Sequence, residues 1–227
     1  MDKAVYPIAA YAFLALFVLA TVFELFFAFK ERTLYRKMVK PWCVLFLTVF
    51  AIVFLPNWHG ALIMFGAFLG CVGDTLLLKK GHQRYFIAGA ISFLFGHYCY
   101  IAAMLLYASS SLAPIHYIAF GLTFLLLIAS LIVPMMKITK SKGVGAAGAL
   151  YLSSLIMVPL IAFVLLGVTG QIHFLLIGLG GLSFLSSDCY LAKTRFIKHD
   201  RREDFYIMGT YLLAQFLIVF GLLLCFA

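Results

Sequence analysis

Eight apolar runs divide this chain, near residues 6–29, 41–56, 60–78, 85–107, 114–136, 144–167, 172–192 and 205–226. About 20 apolar residues suffice to cross a bilayer as a helix. Hydrocarbon offers no water to backbone N–H and C=O groups, so a spanning segment must be a helix or part of a closed barrel. Runs of this length fit the helix. The second run is the shortest; Pro41 suits a first helical position there, and Pro56-Asn57 ends it. The expected fold is all-α, a polytopic bundle of eight transmembrane helices forming one integral membrane domain over residues 1–227. Composition agrees: 65% of residues are hydrophobic and 11% charged, against about 25% charged in soluble domains. The first run is too long for the apolar core of a signal peptide and ends in charges, so it reads as a span.

The loops sort by charge. Of the 17 basic side chains, all but Lys3 fall in the first, third, fifth and seventh loops or at their edges. The positive-inside rule then puts the odd loops in the cytoplasm and both termini outside, in a bacterial inner membrane or the endoplasmic reticulum. Cysteines introduced near Lys37, Lys80, Lys140 and Arg201 are expected to escape a membrane-impermeant label on intact cells. Strong labelling of two or more of these loops would overturn the eight-span arrangement. The net charge of +9 is thereby spent on topology, and nucleic acid is not expected as a partner, because no basic surface is interleaved with base-reading groups.

Two aspartates interrupt this pattern. Asp74 follows Gly73 near the end of the third run, and Asp188 follows Ser187 near the end of the seventh; each precedes a lysine by five residues, Lys79 and Lys193. Inserting a carboxylate into a span costs roughly 3 kcal/mol, so such residues usually face a protein interior and serve a function. Both spans run outside to inside, which puts both acids about 7 Å before their lysine at 1.5 Å per residue, at one level in the cytoplasmic half. In each half of the chain a third-helix acid is followed by a basic loop and by a helix with a lone deep polar residue, His97 or Gln215. Four spans per half make this a parallel rather than an inverted repeat.

Around the acids, Gly66, Gly70 and Gly73 form a small-residue stripe on the third span, and Gly180, Gly181, Ser183 and Ser187 a similar face on the seventh. Ser187 is placed to orient the Asp188 carboxylate. Tyr151, Tyr211 and Gln215 either line a polar pocket or satisfy one another, and Tyr100 lies at helical spacing from His97. Alone, His97 fits a hydrogen-bonded core histidine better than a catalyst. Glu24 ends the first span and can pair with Lys30 or Arg32. Lys40, beside Pro41, suits a lipid phosphate and equally an ordinary cytoplasmic-face lysine. His59, His116 and His173 fall at the outer interface without ligand spacing, and the five cysteines lie in apolar runs with no CxxC pair; neither set points to a metal.

These stretches together are similar to a known family. Gly73-Asp74 with Leu76-Leu77-Leu78, Phe95-Gly96-His97-Tyr98-Cys99-Tyr100-Ile101, Ser187-Asp188 with Leu191-Ala192 and Phe196, and Tyr211-Leu212-Leu213-Ala214-Gln215 resemble the YhhN-like lysoplasmalogenases, and Lys40-Pro41 matches an early motif. The chain departs at Gly96, where the family is expected to carry alanine, and at Thr210, where a tyrosine often precedes the equivalent of Tyr211. The resemblance implies hydrolysis of the vinyl ether bond of lysoplasmalogens to a fatty aldehyde and glycerophosphoethanolamine or glycerophosphocholine, without a cofactor or metal. It implies a catalytic set of Asp74, Asp188 and His97, and a lysophospholipid held by Lys40, Tyr100, Tyr151, Ser187, Tyr211 and Gln215. The chemistry suits two acids, because protonating the outer alkene carbon wants one neutral carboxyl and activating water wants one carboxylate.

Two other classes compete. A small proton- or cation-coupled transporter would use the same intramembrane acids as a relay. Against it, the acids sit in one leaflet and no span is broken beside them. A zinc hydrolase of the alkaline-ceramidase type would need more deep histidines than one.

Overall fold

The computed structural model describes residues 5–79, 83–197 and 203–227; Lys3, Lys80, Lys198, Arg201 and Arg202, on which part of the charge argument rests, lie outside them. Among the described residues the regular elements are eight α-helices: α1 Val5–Phe29, α2 Thr33–Phe54, α3 Trp58–Leu77, α4 Gln83–Tyr107, α5 Pro114–Thr139, α6 Lys142–Thr169, α7 His173–Phe196 and α8 Glu203–Phe226. All eight are long and apolar enough to cross a membrane. The protein is a polytopic helix bundle.

The largest departure from the sequence expectation is α2. It begins at Thr33, eight residues earlier than expected, and runs through Pro41 as an internal residue. Proline inside a helix forfeits a hydrogen bond and crowds the preceding turn, at a cost of about 3 kcal/mol. Side chains of the added turns compensate by reaching other helices: Arg36 bridges Glu24 of α1 and Asp204 of α8, and Lys40 reaches Asp74 of α3. At the other end, Asn57 caps α3 by accepting a hydrogen bond from the Gly60 amide at 3.0 Å. Helices α5 and α7 extend past their apolar runs, to Thr139 and Phe196, because lysine, arginine and threonine continue a helix into the interface without hydrophobic burial.

Hairpins α1/α2, α3/α4, α5/α6 and α7/α8 are joined by α2/α3 and α6/α7 packing, and the halves meet through α4/α6 and α2/α8. Exchanging the halves maps each of these pairings onto another, as a parallel repeat requires. The exchange is incomplete at the periphery. Helix α8 also packs on α1 and α3, whereas α5, which buries only Phe120, is separated from α4 by a small apolar cleft lined by Tyr98, Ile101, Tyr117 and Phe124.

The glycine stripe of α3 decides what stands against it. A Cβ on Gly66 would come 2.7 Å from the Tyr100 ring, and one on Gly70 would come 2.9 Å from Gln215 Nε2. These glycines let α4 and α8 lay polar side chains against α3. The departure at Gly96 has a similar cause, since a Cβ there would lie 3.0 Å from the Gly66 carbonyl oxygen. At the end of the bundle opposite the basic loops, His59 stacks on Phe226 and His173 meets Tyr107 edge-on, within an aromatic cluster of the kind that sits at membrane interfaces.

Candidate active site

A cavity of about 670 Å³ opens at the end where α1 joins α2, α3 joins α4, α5 joins α6 and α7 joins α8, as its rim residues Thr33, Lys79, Thr139 and Arg195 show. Its walls carry Leu77, Ile87, Phe93, Met135 and Leu152, and its polar side carries Glu24, Arg36, Lys40, Asp74, Asp188 and Asp204. The two aspartates therefore line one space, from α3 and from α7.

Their partners differ in kind. Asp74 is buried, and its Oδ1 lies 3.0 Å from Lys40 Nζ. The Tyr211 hydroxyl lies close enough to Asp74 to interact with it, but Asp74 Oδ2 has no hydrogen-bond partner of good geometry among the described residues. Asp188 is only partly buried, and its Oδ2 accepts a hydrogen bond from the Tyr151 hydroxyl. One acid thus faces an ammonium and the other a neutral phenol. In each case the donor comes from the helix that precedes the acid-bearing helix in its half, α2 before α3 and α6 before α7.

Behind this layer lies a second. Tyr100 donates to Gln215 Oε1 at 2.9 Å, and Gln215 Nε2 donates to the Tyr211 hydroxyl at 3.4 Å, a chain leading back from Asp74. His97 is fully buried and does not line the cavity. It stacks on Tyr151 with ring centroids 5.6 Å apart, its Nδ1 is 3.4 Å from Ser154 Oγ, and its Nε2 has no partner among the described residues. Ser154 in turn donates to the Tyr151 carbonyl at 2.7 Å. The histidine therefore stands behind Tyr151 rather than among the groups that can touch a ligand.

A model of the YhhN family matches residues 35–222. The chain belongs to the YhhN family. No curated protein and no solved structure matches it. The YhhN match contains all nine residues singled out from the sequence, Lys40, Asp74, His97, Tyr100, Tyr151, Ser187, Asp188, Tyr211 and Gln215, and it leaves out Glu24.

Three sequence expectations need correction against this YhhN site. Ser187 does not orient Asp188: its hydroxyl donates to the Ile207 carbonyl at 3.0 Å, and Ser183 donates to the Thr210 carbonyl at 2.8 Å, because this small face of α7 is turned to the α8 backbone. Glu24 pairs with Arg36, not with Lys30 or Arg32, at 3.1 Å; Arg36 lies one turn inside α2, on the face toward α1. Lys40 is committed to Asp74, so it does not stand free for a phosphate. Sequence reasoning also passed over Arg36 and Asp204, which form an ion pair across α2 and α8. Their signal was charge near the start of a span, where such residues ordinarily face water. Among the described residues no three His, Cys, Asp or Glu side chains are grouped to hold a metal ion.

Proposed function

We propose that this protein is a lysoplasmalogenase-like hydrolase that cleaves the vinyl ether of a lysophospholipid by the joint action of Asp188 and Asp74. The observation that carries the reading is the unlike pairing of two carboxyl groups in one membrane cavity, Lys40 on Asp74 and Tyr151 on Asp188. Acid–base chemistry needs such an inequality, since one group must give a proton while the other takes one.

Asp188 is the acid. Tyr151 occupies Oδ2, which leaves Oδ1 to carry a proton toward the cavity. The proton goes to the outer alkene carbon, the C=C pair forms the new C–H bond, and the adjoining carbon becomes part of an oxocarbenium ion. Asp74, ionised beside Lys40, takes a proton from water as its oxygen bonds to that carbon. The resulting hemiacetal returns its hydroxyl proton to Asp188 while Asp74 protonates the departing glycerol oxygen. Aldehyde and glycerophospho product leave, and both acids regain their starting states. The apolar wall suits the alkenyl chain. Lys37, Lys79 and Arg195, which line the mouth, suit the phosphate in place of Lys40. On the charge bias of the loops, the mouth faces the cytoplasm.

The decisive experiment uses purified protein in detergent with a lysoplasmalogen and with the matching ester lysolipid, assaying aldehyde and fatty acid separately. In heavy water the fresh aldehyde is expected to carry one deuterium on the carbon next to its carbonyl, and in ¹⁸O water the glycerophospho product should gain no label. Fatty acid release, or aldehyde without deuterium, would overturn the mechanism. Proton flux in proteoliposomes with no aldehyde at all would return the acids to a transport role.

A further inference from the structure

Three charged side chains of the cavity take no part in the reaction just described. Arg36 of α2 lies between two carboxylates, its Nε 3.1 Å from Glu24 Oε1 on α1 and its Nη1 2.5 Å from Asp204 Oδ2 on α8. All three line the cavity that holds Asp74 and Asp188. Among the described residues, one guanidinium pairs with two carboxylates, one cation short of balance. Lys40, whose charge is also felt at Glu24, has its Nζ 3.0 Å from Asp74 Oδ1.

The deficit is located on an atom. Glu24 has 0% relative exposure, and its Oε2 has no hydrogen-bond partner among the described residues. A buried carboxylate oxygen without a donor is costly, and native proteins nearly always provide one. Glu24 lines the cavity, and the neighbouring Asp204 side chain keeps 19% of its surface exposed, giving a ligand a point of entry. A ligand suited to this deficit carries positive charge, donates hydrogen bonds and reaches the site from the cavity. A primary ammonium satisfies all three conditions, with three N–H donors on a compact charge. A trimethylammonium carries the charge but has no donor, and its usual site is an aromatic cage, not a pair of carboxylates.

We propose that the Glu24–Arg36–Asp204 triad is the subsite for the primary ammonium of an ethanolamine head group, which makes the protein selective for ethanolamine over choline lipids. This rests on the hydrolase reading for the identity of the rest of the ligand. Asp204 meets the ammonium first, and Arg36 holds the two carboxylates at a fixed separation. The phosphate, one short linker away, is left to Lys37, which follows Arg36 on the same helix and is exposed at the mouth.

The test compares three alkenyl lysolipids of equal chain, with phosphoethanolamine, phosphocholine and phosphopropanol head groups, the last matching ethanolamine in size but lacking nitrogen. The wild type is expected to show kcat/KM at least tenfold higher for the ethanolamine lipid than for the other two, with the difference in KM. Glu24→Gln and Asp204→Asn should each bring the three within about threefold of one another. Equal handling of the three by the wild type overturns the proposal, as does an equal loss on all three in both variants, which would make the triad a strut between helices. A further arm needs neither turnover nor a variant. Glycerophosphoethanolamine should raise the melting temperature of the wild type where glycerophosphocholine at the same concentration does not, and equal shifts would also overturn the proposal. Release of no aldehyde from any lipid would sink the hydrolase reading by itself, leaving the melting shifts to decide the subsite.

Discussion

Asp188→Asn is expected to lower kcat for vinyl ether cleavage by at least about a thousandfold, and Asp74→Asn by a similar factor, in protein that still folds and reaches the membrane. An amide keeps the shape of the carboxyl but neither donates an acidic proton nor accepts one, and a positioned acid or base contributes typically 10²–10⁴-fold. The two losses should not multiply. If the acids act as one unit, returning protons to each other's sites within a cycle, the double variant falls little below either single one. Aldehyde release, measured beside thermal unfolding of each variant, checks both statements. Near-normal turnover of either asparagine variant would end the two-aspartate mechanism, and multiplied losses would mean that the acids act in separate steps.

Much of the architecture is legible in the sequence, because spanning helices must be long and apolar and their loops must carry the charge. The acids were legible for the converse reason: a carboxylate in an apolar run is too costly to be idle. What could not be read was which side chains meet. Lys40 was visible as a lysine beside a proline, but its contact with Asp74 depends on α2 continuing upstream through Pro41 to Thr33, against the local preference of proline. Arg36 was invisible for the same reason, since it belongs to a turn that sequence alone assigns to a loop. His97 and Ser187 show the opposite failure. Each sits close in sequence to a candidate site residue, yet a rotation about the helix axis decides what its polar atoms meet, and apolar stretches with little periodicity do not fix that rotation. His97 faces Tyr151 and Ser187 faces the α8 backbone. The α3 stripe was informative because glycines mark close approach whatever the neighbour is.

The contact between Lys40 and Asp74 has a consequence for stability that a phosphate-binding lysine would not have. The two side chains retain 14% and 3% of their exposure, 3.0 Å apart, and Asp74 Oδ2 has no hydrogen-bond partner of good geometry among the described residues. Lys40→Met would leave a buried carboxylate without the ammonium, with only the Tyr211 hydroxyl beside it among the described residues. Removing one member of a buried pair costs about 3 to 5 kcal/mol, because the charge left behind stays desolvated. Replacing both members is far cheaper. Lys40→Met is therefore expected to be strongly destabilised in denaturant titrations in detergent and to lose most of its turnover. Lys40→Met combined with Asp74→Asn should regain most of the stability while staying inactive, since the amide needs no counter-charge but cannot act as a base. A phosphate ligand remote from the bond would behave differently: its loss raises KM with little change in kcat, because ground and transition states share the contact, and stability is untouched. If Lys40→Met keeps wild-type stability and kcat with only KM raised, Lys40 holds the phosphate after all, and Lys40 is not what would keep Asp74 ionised as the proposed base.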